Sequence, residues 1–124
     1  MGVESRYGLK FGYMDHGPRN LITDVPGVRV GHVTIHDGEV HTGVTAIIPH
    51  TGDVFHEKCL AGAHVINGFG KSIGLVQVQE LGTLESPILL TNTLSVGTVS
   101  TALVEYMLER NDDIGLDAGT VNSL

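Results

Sequence analysis

Residues 79 to 97 read QELGTLESPILLTNTLSVG, and in that span a helix end, a glycine turn, a strand and a new helix start follow one another. Pro87-Ile88-Leu89-Leu90 is apolar without alternation, the pattern of a strand covered on both faces. The run stops at Thr91-Asn92-Thr93, so polar groups gather where the strand ends and chemistry is expected. Upstream, Ser72 to Leu81 carries Ile73, Val76 and Leu81 with Gln77, Gln79 and Glu80 between them. This fits a helix with one apolar face, stopped by Gly82 in the C′ position. Glu80 then lies at the helix C-terminus, where the dipole disfavours a carboxylate and a nearby cation would be welcome.

Downstream, Ser95 stands as N-cap of a helix in which Val99, Leu103, Tyr106, Met107 and Arg110 recur at spacings of three and four. Before the central stretch, Val28 to Ile35 and His41 to Ile48 alternate β-branched and polar residues around the turn His36-Asp37-Gly38-Glu39, predicting a β-hairpin. Glu57 to Ala63 reads as a helical turn, and His64-Val65-Ile66 as a buried strand that ends in the bend Asn67-Gly68-Phe69-Gly70. Residues 1–19 mix glycine with aromatic and charged residues and form an irregular arm. After Asn111-Asp112-Asp113 apolar residues continue to Leu124, unlike a natural terminus, so the expectation is one incomplete domain over 20–124.

Composition narrows the function. The 124 residues carry 17 Gly, 4 Pro and no Trp, with a net charge of −7 and only seven Lys and Arg. Nucleic-acid binding depends on cations that neutralise phosphates, so it is not expected. No stretch approaches the roughly 18 apolar residues of a spanning helix, and no secretory leader is visible, so a cytoplasmic protein without membrane contact is expected. Ser5 misses the position needed for a myristoylation signal, and the single Cys59 excludes an internal disulfide.

Several motifs invite chemistry and carry a plainer reading. Gly68-Phe69-Gly70-Lys71-Ser72 resembles a phosphate loop, but a Walker loop needs Gly at position 65, where Val65 stands. A dinucleotide fingerprint needs Gly or Ala at position 73, where Ile73 stands. His32, His36 and His41 are close in sequence. Along a strand, however, His32 and His36 would sit about 13 Å apart, too far for one ion, so no metal is expected. Cys59 beside His56 or His64 reads as packing rather than as a thiolate pair. Glu80 and Glu85 bracket Gly82 as paired acid/base carboxylates would. Glu85 reads as a solvated loop residue and Glu80 as the carboxylate aimed at the strand end.

Asn20-x-Ile22-Thr23-Asp24-Val25-Pro26-Gly27-Val28-x-Val30-Gly31-His32, Thr42-Gly43-Val44-Thr45, Asn67-Gly68-x-Gly70, Glu80-x-Gly82 and Pro87-Ile88-Leu89-Leu90-Thr91-Asn92-Thr93-x-Ser95-Val96-Gly97 occur here in one collinear order. Together they resemble the DmpA-type aminopeptidases, the family of L-aminopeptidase/D-esterase and β-peptidyl aminopeptidases. The resemblance implies an α/β fold, part of a four-layer αββα sandwich similar to that of N-terminal nucleophile hydrolases and to ornithine acetyltransferase. It implies a precursor that cuts itself before a Ser or Thr, whose hydroxyl then attacks an amide or ester. It implies no metal and no organic cofactor.

Carried over by position, the resemblance places Glu80 near the substrate's free amino group, and Asn67, Asn92 and Thr93 in the pocket wall. The nucleophile is expected beyond Leu124, so this chain alone would be inactive. Its partners would be a small peptide, amide or ester, the remainder of the precursor (the β-subunit) and further copies in a homo-oligomer. Lys71 departs from the acidic or aromatic residue usual after Gly-x-Gly, so substrate preference is not carried over. The alternatives are an ornithine acetyltransferase-like acyl transferase and a non-catalytic α/β binding domain.

Overall fold

A computed structural model describes residues 6–124; residues 1–5 of the N-terminal arm lie outside the described residues. Residues 8–19 contain no helix or strand and are exposed. A 3-10 turn follows at Ile22–Asp24, where Asp24 accepts from the Arg19 side chain at 2.8 Å and from its main-chain N–H at 2.9 Å.

The expected hairpin forms as β1 (Arg29–Asp37) and β2 (Val40–Ile48), antiparallel from Arg29↔Ile48 to Asp37↔Val40. Its loop is Gly38-Glu39, and Gly38 has φ +55°. That sign is what a two-residue hairpin turn requires at its first position, and only glycine meets it without steric cost. Gly43 has a different reason to lack a side chain: a Cβ there would overlap the Val33 carbonyl oxygen across the ladder.

Strand β3 is Cys59–Leu60, helix α1 is Leu75–Leu81, β4 is Thr83–Leu84, β5 is Ile88–Leu90 and helix α2 is Val96–Leu108. The sheet order is β1-β2-β5, and β3 pairs with β4 in a second, two-stranded sheet. Strand β5 pairs antiparallel with β2 through Thr45↔Leu90, Ala46↔Leu89 and Ile47↔Ile88. On its other side the Leu89 N–H donates to the Leu124 carbonyl at 2.8 Å. The core lies between this sheet and α2, where Phe55, Leu103, Met107 and Ile114 are buried together and Leu89, Tyr106 and Val121 pack against them.

Several expectations are corrected. β5 is not covered on both faces: Ile88 and Leu89 are half-buried and Leu90 is 54% exposed, because only its Leu89 side meets the α2 core. His64-Val65-Ile66 forms no strand and is exposed, since no neighbouring strand offers it a ladder. The helical turn expected at 57–63 lies earlier, at Val54–His56, and Cys59 and Leu60 instead pair with Leu84 and Thr83. Helix α1 begins three residues later than expected, after Gly74 at φ +83°. Gly68-Phe69-Gly70 therefore does not open the helix, which removes the phosphate-loop geometry. The Gly82 stop is as expected, with φ +67° and its N–H on the Val78 carbonyl at 2.9 Å.

Candidate functional site

The end of β5 is held by its polar residues. Thr91 donates from Oγ1 to the Gly43 carbonyl at 3.3 Å, and Asn92 donates from Nδ2 to Thr42 Oγ1 at 2.9 Å. Asn92 Oδ1 accepts from the N–H groups of Leu94 and Ser95, both at 3.1 Å. Ser95 holds the N-cap position of α2 but makes no capping bond through its side chain. Asn92 Oδ1 instead closes a turn just ahead of the helix, and its Nδ2 ties that turn to β2. Thr93, next to it, is exposed.

A cavity of about 360 Å³ opens between the approach to α1, the free side of β5, the first turns of α2 and the chain's last residues. Its wall is mainly apolar, with Ile73, Ile88, Val99 and Leu103, and its polar members include Lys71, Ser100 and Ser123. The Ser100 and Ser123 hydroxyls share a hydrogen bond of 2.6 Å, and Ser123 is buried. Such a wall suits an apolar side chain with a polar group at its edge. Sequence reasoning does not single out Ser100, and it marks Ser123 only because Asn122-Ser123 imitates a self-cleavage pair, not as part of a cavity wall. The available signal was a small hydroxyl at position 100, inside the apolar stripe of Val96, Val99 and Leu103.

None of Glu80, Asn67, Asn92 and Thr93 lines this cavity. Glu80 is exposed in the last turn of α1. Asn67 is exposed and accepts from the Phe69 N–H at 3.0 Å, closing the glycine bend, while Lys71 donates to the Phe69 carbonyl at 2.8 Å. Asn92 and Thr93 follow the C-terminal end of β5 (Ile88–Leu90), where Asn92 bonds to Thr42 of β2.

Glu85, expected in solvent, is 6% exposed. Pairing Cys59 with Leu84 brings the residues on either side, Lys58 and Glu85, opposite each other. Lys58 Nζ donates to Glu85 Oε2 at 2.9 Å, and Asn122 donates to Oε1 from its main chain at 2.8 Å and from Nδ2 at 2.9 Å. Burial by itself pushes the carboxyl up, but the Asn122 donors and the Lys58 ammonium outweigh it and hold Glu85 below its ordinary value. Lys58 also donates to the Phe55 carbonyl at 2.8 Å and lies 4.5 Å from the centre of its ring. Glu85 is thus a structural anchor, not the partner of Glu80 in acid/base work.

His56 bridges two loops. Its Nδ1 is 2.5 Å from Asp53 Oδ2 and its Nε2 is 2.9 Å from Asp113 Oδ2. The two carboxylates raise the imidazole above its ordinary value, the Asp53 hydrogen bond contributing most and the Asp113 bond next. Cys59 is free and half-buried. Among the described residues no group of three or more His, Cys, Asp or Glu is placed to hold a metal, and no helix is long and apolar enough to cross a membrane.

The profile described as peptidase family S58 matches residues 20–124. The β-peptidyl aminopeptidase BapA of Sphingosinicella microcystinivorans is 38% identical over 102 residues, covering 75% of this chain and 26% of that protein. Among solved structures, the PH0078 protein from Pyrococcus horikoshii OT3 is 52% identical with a TM-score of 0.89, over 98% of this chain and 37% of that one. The L-aminopeptidase D-Ala-esterase/amidase from Ochrobactrum anthropi is 35% identical with a TM-score of 0.68, over 83% of this chain and 30% of that one. It is described as a prototype for the serine aminopeptidases and a new variant among the Ntn hydrolase fold. The chain spans about a quarter of the length of the BapA relative and about a third of each solved structure.

Proposed function

The chain belongs to peptidase family S58 and has the mixed α/β fold of that Ntn hydrolase variant, and from this premise we infer that it forms the N-terminal part of a self-processing aminopeptidase. The substrate is a small peptide, amide or ester with a free amino terminus. A Ser or Thr hydroxyl, released at a new N-terminus in sequence outside these residues, attacks the scissile carbonyl. The C–N or C–O bond breaks, the amine or alcohol leaves with a proton, and water hydrolyses the resulting acyl-enzyme ester. The working enzyme is a cytoplasmic homo-oligomer, each copy made of this segment and the β-subunit cut from the same precursor.

In this reading Glu80 receives the substrate ammonium, and Asn67, Asn92 and Thr93, which lie outside the cavity of about 360 Å³, shape the wall of a pocket completed by the β-subunit. The observation that supports it is the position of Glu80: exposed, with no ion pair among the described residues, in the last turn of α1, where the dipole disfavours its charge. An ammonium there satisfies both the carboxylate and the helix end. The test is Glu80→Gln in the full-length enzyme, comparing amino-terminal amides with N-blocked esters. Amide hydrolysis should fall far more than ester hydrolysis; equal loss on both would remove the amine-binding role.

A further inference from the structure

Spacing along β1 keeps His32 and His36 apart, but it does not limit His36 and His41, which stand on opposite strands. The hairpin makes them direct cross-strand partners, one rung before the Asp37↔Val40 pair that closes the Gly38-Glu39 loop. Their Nδ1 atoms lie 2.9 Å apart, with ring centres 4.4 Å apart and planes at 66°. Both side chains are exposed on an open groove that also contains His32, Thr42 and Thr45. His32 is occupied elsewhere, with its Nδ1 2.8 Å from Thr45 Oγ1.

From the convergence of these two nitrogens at the hairpin tip we propose that His36 and His41 form a two-imidazole chelate for a first-row divalent cation, with Cu²⁺ the best fit and Ni²⁺ next. The separation allows both nitrogens to share one ion. Two ligand nitrogens at about 2.0–2.1 Å from a metal are about 2.9 Å apart when the N–M–N angle is about 90°, and about 3.3 Å apart at the tetrahedral angle. The observed 2.9 Å shows that the two nitrogens can reach one ion with little movement, and the preference for Cu²⁺ follows from the affinity order of first-row divalent ions at nitrogen ligands. Without metal, one Nδ1–H donates to the other Nδ1. On binding, that proton moves to the Nε2 of its own ring, so both Nδ1 lone pairs face the ion and no net charge leaves the pair. With no third protein ligand converging among the described residues, water fills the remaining positions. The ion would staple β1 to β2 at the end farthest from the Arg29↔Ile48 rung.

The test titrates metal-free full-length protein with Cu²⁺ and with Ni²⁺, followed by calorimetry and, for Cu²⁺, by electron paramagnetic resonance. The expected result is one equivalent bound through two nitrogens, with Cu²⁺ tighter than Ni²⁺ and Ni²⁺ tighter than Zn²⁺. His36→Gln and His41→Gln should each weaken Cu²⁺ at least tenfold, and His64→Gln should not. In the unmodified protein, substoichiometric Cu²⁺ should broaden the His36 and His41 ring resonances first, a readout independent of how the variants fold. Broadening that begins at other histidines, unchanged affinity in both variants, or preference for Zn²⁺ would each overturn the proposal.

Discussion

Asn122 meets Glu85 twice, its main-chain N–H at 2.8 Å and its Nδ2 at 2.9 Å, both on Oε1. Lys58 takes the other carboxylate oxygen at 2.9 Å. One buried side chain therefore fastens the residues before β3 and the last residues of the chain to the end of β4.

Glu85→Ala should accordingly destabilise the fold by about 2–4 kcal/mol, because it strands the Asn122 donors. The Lys58 share is small, since that side chain is 37% exposed and can turn to water. Glu85 is held below its ordinary value, so its contribution is present above roughly pH 4.3 and is lost as pH falls through the folded-state value. Urea midpoints at neutral pH and at a series of values below about pH 4 check both statements. A Glu85→Gln variant should show a shallower acid-side slope than the parent, the remainder coming from other depressed carboxylates such as Asp53.

The His56 bridge predicts the opposite slope. Each ring nitrogen faces a carboxylate oxygen, and carboxylates only accept, so both contacts are satisfied by the imidazolium alone. The folded-state value is raised, so the stabilisation is complete below roughly pH 6.5 and is lost as pH rises through the folded-state value. Asp53 is held below its ordinary value, first by its hydrogen bond to His56, so acid removes the bridge from the other side. The Tm of the parent should decline from about pH 6.5 upward, and that of His56→Gln should not decline over the same range.

Gly74 tests how the chain's last residues are held. It has φ +83°, and an added Cβ would overlap the Ser123 carbonyl oxygen. Gly74→Ala should cost about 1–3 kcal/mol from the backbone conformation and push Ser123 and Leu124 away from α1. The Leu89 amide, bonded to the Leu124 carbonyl, should then exchange with solvent faster, while hairpin amides such as Val44 keep their protection. Unchanged exchange at Leu89 would show that Leu124 is held independently of Gly74.

What was legible in the sequence was local. The hairpin announced itself because alternation and a glycine turn lie within twenty residues, and α2 and the Gly82 stop because periodicity and cap share one segment. The misread residues depend on distant partners. Glu85 looked solvated because its donors stand 27 and 37 positions away. His64-Val65-Ile66 looked like a strand because its composition is β-like, yet nothing pairs with it. Ser95 holds the N-cap position of α2 as expected, but its side chain makes no capping bond. The positions of Asn67, Asn92 and Thr93 came from family motifs, and the cavity wall from no motif at all, because Ser123 reaches Ser100 only through the fold.

The β1-β2-β5 order also sets a timetable for assembly. The hairpin closes through a two-residue loop, a step that takes microseconds, whereas β5 joins only after Ile88 finds Ile47 about forty residues upstream. Closing that longer loop costs chain entropy before any apolar contact offsets it. Substitutions on the Val33↔Val44 rung should therefore slow refolding, whereas those on Leu89 should mainly speed unfolding. Before β5 arrives, β2 is an unpaired edge, and that interval is when a nascent chain is most exposed to pairing with another copy of itself.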